Sequence, residues 1–280
     1  MKQNDSVINQ ANARNIVTVK EYMSSWKSCF DSKGIRLTPR VRSFDLIALS
    51  ILNKAYRLSE ACIFLIEEGF SDEAFGLSRS IIECAINLRY LTLNLDEIDS
   101  RANNFLQFIH ADRKHLLKLI REEYPVDERN DAMEAIAKAD KLDERWKTKG
   151  HPPNDWKEIE IENWTCWKII TAVHPLDTQL NIYCSIRKLF ATFYRLASAR
   201  IHCSVSSLDN YSSDTHFSFK IGEQRIICLD HTREPLIAIL EGLYLSARYA
   251  LYGLKLDQTE SFDKQIEDID KKLVKPCERK

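Results

Sequence analysis

Glycine and proline are scarce in this chain. There are seven of each in 280 residues, where an average chain carries roughly 12% of the two together. They are the residues that let a backbone reverse tightly. Sandwiches, barrels and propellers need a turn about every 8–12 residues, so the scarcity argues against them. It also argues against glycine-rich phosphate loops, and it excludes collagen-like and low-complexity chains. Long helices with few connections remain, and the expected fold class is all-α. At 44% hydrophobic and 29% charged residues, the chain has the composition of a soluble globular protein large enough for a real core.

The 40 basic and 41 acidic side chains give a net charge of −1. That balance removes the general case for a non-specific nucleic-acid binder but leaves room for a local basic site. The eight cysteines are scattered without a Cys-x-x-Cys pair, which reads as reduced, mostly buried packing residues. The start, Met1-Lys2-Gln3-Asn4-Asp5, has no apolar signal core. The best apolar run, Leu46 to Leu52, is broken by Ser50 and ends at Asn53-Lys54, far short of the ~18 residues of a membrane span. The expected location is cytoplasmic, with no membrane partner.

Hydrophobic spacing predicts helices over about 9–30, 41–68, 72–93, 96–123, 127–146, 178–206 and 234–254. In the second, Leu46, Leu49, Ile51, Leu52, Ala55, Leu58, Ala61, Cys62 and Leu65 set the apolar stripe. Gly69 is its expected stop, and Ser71 or Asp72 the expected N-cap of the next helix. That helix is apolar nearly all round (Phe75, Leu77, Ile81, Ile82, Ala85, Ile86, Leu88, Leu91), so it is expected to be central and buried. Its polar exceptions Arg79, Glu83 and Asn87 stand at i, i+4 and i+8 and form one stripe. An irregular insert is expected at about 147–177 and a small β-hairpin or ordered loop at 215–229. The resulting division is an N-terminal helix, 1–39, a helical domain, 40–257, and a charged tail, 258–280.

The segment from Thr178 to Leu208 contains no Asp or Glu but carries Arg187, Lys188, Arg195 and Arg200, interleaved with Phe190, Phe193 and Tyr194. Cations among aromatics suit a phosphate backbone with stacked bases, so Lys188, Arg187, Arg200 and Tyr194 are candidate RNA contacts. Arg195 and His202, seven apart, are nearly two helical turns apart and share a face. Ser198 lies between them, and Lys188 extends the stripe by another seven. Tyr183, Ile186, Phe190, Phe193, Ala197 and Ile201 form an offset stripe expected in the core. An Arg, a hydroxyl and a His on one face can act on a phosphodiester. The imidazole moves a proton, the guanidinium holds the phosphate, and the hydroxyl orients either.

Two segments resemble a known family. Leu65 to Glu83, with a small turn, an Ala, and Arg79-x-x-x-Glu83, resembles a bacterial domain of unknown function, the five-six-seven-seven family of that series. Tyr194 to Ser204 resembles its Ser-x-x-x-His-x-Ser signature through Ser198, His202 and Ser204. These helices are similar to the HEPN superfamily (higher eukaryotes and prokaryotes nucleotide-binding). The resemblance implies an all-helical antiparallel bundle, often dimeric with a composite interface site, and for many members metal-independent RNase activity through an Arg-x4–6-His motif. Arg195 to His202 fits its long end. Leu196 stands where the commonest form has a polar residue, so Arg79 is an alternative cation. Toxin–antitoxin and phage-defence roles are also implied.

The candidate catalytic set is therefore His202, Arg195, Ser198, Arg79 and Glu83, in a metal-independent endoribonuclease. Expected partners are RNA, a second copy of the chain and an antitoxin or defence-complex protein. No cofactor is expected. The alternative is a non-catalytic helical module that binds a nucleotide or protein partner through the same basic groove. On that view Arg79–Glu83 is an ion pair fixing helix register, His202 a hydrogen-bonded core residue and Ser198 a small packing residue. Metal-binding spacing is poor: His110 and His115 diverge by ~140° on a helix, and Cys228 and His231 lack a second pair. His151 and His174 sit beside prolines and read as loop residues. Trp146, Trp156, Trp164 and Trp167 cluster about the insert, as lid packing or as a protein-partner patch.

Overall fold

A computed structural model describes residues 2–32, 42–107, 165–178, 185–201 and 229–256, with side chains from 13 in the first stretch and from 232 in the last. Among these residues the chain is helical without strands. We number the helices α1 (Lys2–Ser32), α2 (Ser43–Glu67), α3 (Ser71–Thr92), α4 (98–107, entered through the 3₁₀ turn Leu95–Glu97), α5 (Cys166–Thr171), α6 and α7 (Leu229–Gly253). Helix α6 has three parts: Ile186–Leu189, a π-helical turn Phe190–Tyr194, and Arg195–Ile201.

Helix α3 is the axis of the packing, as its all-round apolar surface predicts. It touches α2, α5, α6 and α7, and its most extensive contact is with α7. Ile81, Ile82, Ala85, Leu88 and Leu91 are fully buried. The α2–α3 corner is made by Gly69, whose φ of 86° puts it in the left-handed region that glycine enters without a Cβ clash. The amide of Phe70 donates to the Leu65 carbonyl at 2.7 Å and that of Gly69 to Ile66 at 3.1 Å, which closes the last turn of α2 as a Schellman motif.

Opposed contacts set helix directions. Lys20–Glu67 and Trp26–Tyr56 make α1 and α2 antiparallel. Helix α3 runs parallel to α7, because Ser71 meets Thr232, Ile81 meets Gly242 and Arg89 meets Tyr249 in rising order. The α3–α7 pair is thus parallel within the antiparallel bundle expected, while α1 and α2 run antiparallel. At the α3–α7 crossing, a Cβ on Gly242 would lie 2.9 Å from Ile81 Cγ2, so the absence of a side chain sets the approach.

Several local expectations shift. The buried stripe of α2 is centred on Phe44, Ile47, Ala48, Ile51, Ala55, Ser59, Cys62 and Ile66, while Leu46 is exposed. Large apolar residues occur on both flanks of that helix, so spacing alone did not locate the centre. The N-cap of α3 is Phe70, not Ser71 or Asp72; the Ser71 hydroxyl instead meets Thr232 Oγ1 at 3.2 Å in the core. Helix α7 begins at Leu229 and carries Pro235 inside it, rather than starting near 234. The last expected stripe residue of α6, Ile201, is exposed. The helix expected from 178 starts at Ile186. Thr178 lies in a turn, where the Asp177 amide donates to the His174 carbonyl at 2.9 Å. Within the expected irregular insert, Cys166–Thr171 is helical, capped by Thr165 Oγ1 accepting from the Lys168 amide. The helix expected at 127–146, the hairpin or loop expected at 215–229 (save Leu229, which opens α7) and the tail after 258 lie outside the described residues, as do Trp146, Trp156 and Trp164.

One buried cation ties the insert to the core. Arg89, near the end of α3, is 1% exposed. It donates to Asp177 through both terminal nitrogens, at 2.7 and 2.9 Å. It also donates to Tyr249 Oη at 2.9 Å and to the carbonyls of Ile169 and Ala172 at 3.1 and 2.6 Å. These carbonyls lie in and just after the last turn of α5, so the guanidinium satisfies acceptors left open there. Burial penalises the charge of Arg89, but Asp177 and Tyr249 outweigh it and hold the guanidinium ionised. Burial likewise opposes the Asp177 carboxylate, yet Arg89 and the His174 amide pull its pKa below the usual value.

His174 lies in a loop, as expected, but is buried in this network. Thr92 Oγ1 donates to the Leu88 carbonyl at 2.8 Å, so at its 3.1 Å contact with His174 Nε2 the ring is the donor. Nδ1 then accepts from the Leu176 amide at 3.1 Å. A second ring proton would destroy that bond. Burial, reinforced by the charge of Arg89, pushes the imidazole down to about 4. The unfolded chain takes up this proton near pH 6.5, so stability is full above that pH and falls between about 6.5 and 4.

Two measurements test this packing. Gly242→Val is expected to lower stability by about 1–3 kcal/mol through overpacking against Ile81, read as a lower urea midpoint. Urea unfolding from pH 7 to pH 4 is expected to show a falling stability, with a His174 contribution on the order of 3 kcal/mol by pH 4. His174→Gln should flatten that part of the profile; an unchanged slope would remove His174 as its source.

Candidate functional site

Helices α3 and α6 carry the two segments singled out in the sequence, and they pack antiparallel. Along the seam Asp72 pairs with Arg200, Gly76 lies against Ile201, Phe75 meets Phe193 edge-on at 6.3 Å, and Arg79 and Glu83 reach Tyr194. Gly76 lets the backbones approach; a Cβ there would sit 3.2 Å from Ile201 Cγ1. Ala197 is fully buried in the same seam.

At the open end of the seam three side chains interlock. Arg79 Nε donates to Glu83 Oε1 at 3.1 Å, one turn on. Tyr194 Oη donates to the same oxygen at 3.0 Å. The Arg79 guanidinium lies 5.1 Å from the centre of the Tyr194 ring, within cation–π range. Burial opposes the Arg79 charge, but Tyr194 and Glu83 outweigh it and raise its pKa. Burial and the Glu83 charge push the Tyr194 phenol up to about 12, so at neutral pH it is a proton-bearing donor rather than a base.

The aromatic row continues outward. Phe190 stacks on Tyr194 with centroids 4.6 Å apart and planes 17° apart. Trp167 of α5 lies 6.4 Å beyond Phe190 at 55° and is 54% exposed. The stacked pair spans the π-helical turn, the widened turn often found at functional sites.

The π turn also alters the predicted face. It inserts about one residue between Lys188 and Arg195, a lag of roughly 100°, so Lys188 does not extend the Arg195 stripe. Within the α-helical part Arg195 is exposed and Ser198 partly buried, three residues apart and therefore neighbours. Arg187 and Lys188 are exposed on the first turn. Arg200 is mostly buried, its guanidinium 3.5 Å from Asp72; it ties α6 to α3. His202 lies outside the described residues, as do His110, His115, His151 and Cys228, together with the His231 side chain. Asn87, the third member of the α3 stripe, is partly buried.

Among the described residues no three or more His, Cys, Asp or Glu are grouped to hold a metal ion. Cys62 and Cys84 are buried, and burial pushes their thiols up to about 12 and 11, which makes them poor nucleophiles. No described helix is long and apolar enough to cross a membrane.

Sequence spacing identified Arg79 and Glu83 as a pair but not their bond to Tyr194, 111 residues on. It also missed the place of Trp167 in the row. The available signal for Trp167 was a large aromatic at the start of a short, Thr-capped helix.

Cooperation in the cluster is measurable. In a double-mutant cycle of Arg79→Met and Tyr194→Leu, a coupling of about 0.5–1 kcal/mol is expected in unfolding free energy. Tyr194→Phe alone should lose about 0.5–1.5 kcal/mol, the value of one hydrogen bond.

The model of a family of unknown function, DUF5677, matches residues 45–219. The match includes α2, α3, α5 and α6, and it takes in both sequence segments that form the seam. No curated protein and no solved structure gives a significant match.

Proposed function

The chain belongs to the DUF5677 family of unknown function, and we propose that it is a metal-independent endoribonuclease of HEPN type. Its RNA substrate supplies its own nucleophile, a ribose 2′-hydroxyl. The observation that carries this reading is the seam itself, which brings the Arg79–Glu83 segment of α3 against the Tyr194–Arg195–Ser198 segment of α6.

In this reading His202, one residue past the described end of α6, takes the 2′-hydroxyl proton. The 2′-oxygen attacks the adjacent phosphorus, and the bond to the 5′-oxygen breaks with return of the proton to the leaving oxygen. The products are a 2′,3′-cyclic phosphate and a 5′-hydroxyl. Arg195, the exposed cation of the set, holds the scissile phosphate and offsets its developing charge. Ser198 orients the reacting groups. Arg79 and Glu83, bound to Tyr194, position α6 rather than touch the phosphate. Arg187 and Lys188 supply further phosphate contacts. The protein acts as a homodimer in the cytoplasm, as a toxin or phage-defence effector held by an antitoxin or partner protein.

A second reading rests on the same cluster. Arg79 is already engaged by Glu83 and Tyr194, as in a structural seam. A non-catalytic binding module that uses the basic face of α6 would look the same there.

Incubation of wild type and His202→Ala with total RNA and transfer RNA in EDTA separates the two. Cleavage by wild type alone, with cyclic-phosphate ends, is the expected result. RNA binding without cleavage by either protein favours the binding module. Equal cleavage by both would sink the assignment of His202.

A further inference from the structure

The aromatic row does something the ribonuclease reading does not require. A large indole left 54% exposed forgoes favourable burial. Trp167 is nonetheless held on a fixed element. The carbonyls of Ile169 and Ala172, two and five residues on, accept from Arg89, and Ile169 and Ile170 are buried in the core. Its inner edge meets Phe190, and Phe190 is stacked on Tyr194 under Arg79. The row thus runs from a partly buried guanidinium contact to an open indole.

Two cations stand near the row. Arg187 stands three residues before Phe190 on the same side of α6, and it is exposed. Lys168 adjoins Trp167, and α6 itself carries no carboxylate. Glu83, at the inner end of the row, accepts from both Arg79 and Tyr194. Aromatic faces beside cations take unpaired bases while the cations take phosphates. A base in a duplex cannot offer its face to such a platform, because both faces are already stacked.

From this placement we propose that Trp167 is a stacking platform for an unpaired base of single-stranded RNA, beside the Phe190–Tyr194 pair, with Arg187 on the neighbouring phosphate. The proposal rests on the reading of RNA as the substrate, but not on cleavage. Trp167 is a binding residue for single strands, and the Arg89 network is what holds it in place.

The test measures fluorescence anisotropy of a labelled 12-nucleotide single-stranded RNA and of the same RNA as a duplex, in EDTA, on a His202→Ala background. Trp167→Ala should weaken single-strand binding by roughly 5- to 150-fold, the range for one lost base stack. Trp167→Phe should recover most of it, and duplex affinity should not change. Equal single-strand binding by parent and Trp167→Ala overturns the platform while leaving the ribonuclease reading intact. An equal loss on single strand and duplex, or no recovery by Trp167→Phe, also overturns it. Absence of RNA binding by the parent sinks the platform and the RNA reading together. Loss confined to the single strand in a chain that never cleaves RNA sustains the platform and removes the enzyme.

Discussion

The structure depends on a guanidinium buried where water cannot reach it. A lone charge at the core end of α3 would be strongly destabilising, so Arg89 requires partners, and their positions follow from that requirement. Asp177 supplies the opposing charge, Tyr249 of α7 an acceptor oxygen, and the end of α5 two carbonyls. Satisfying one side chain therefore fixes three separate parts of the chain relative to α3. His174 enters the same network as a neutral ring, with one nitrogen donating and the other accepting, which leaves no room for a second proton. Such a network specifies one arrangement because a partly satisfied version is costly.

The candidate site is a consequence of the same frame. Helix α3 presents Arg89 toward α5 and α7 at one end and Arg79–Glu83 toward α6 nearer its middle. The seam with α6 is close because Gly76 and Ala197 are small, and it is closed at the far end by Arg200 and Asp72. The π turn then carries Phe190 and Tyr194 into register with each other, and the row they form reaches Trp167 on the element that Arg89 holds. A charge buried for packing and an exposed aromatic are thus mechanically connected through α5.

Much of this was legible where the signal is local. The apolar girth of α3 announced a central helix, and four-residue spacing announced the Arg79–Glu83 pair. Gly69 announced the corner, since only its backbone enters the left-handed region without strain. The stripe of α2 was legible as a stripe but not in its phase, because Leu46 and Phe44 look alike to a periodicity. Lys188 was misplaced because nothing in Phe190–Tyr194 marks a π turn. That turn widens to fit the packing against α3 and α5, and propensity does not encode it. His174 beside Pro175 does lie in a loop, but its burial was not legible because its partners Thr92 and Tyr249 lie far away in sequence.

By itself the sequence determined the class and the materials: few turn formers force long helices, and an acid-free stretch with cations and aromatics gives α6 its character. The tertiary structure alone decided which charged groups were structural and which stayed open. Arg89 and Arg200 are taken up by Asp177 and Asp72, partners 88 and 128 positions away, whereas Arg187 and Arg195 stay exposed on the same helix as Arg200. The physical reason is that the role of a charge depends on the dielectric around it and on the partners within reach, and both are set by how helices from distant parts of the chain pack together.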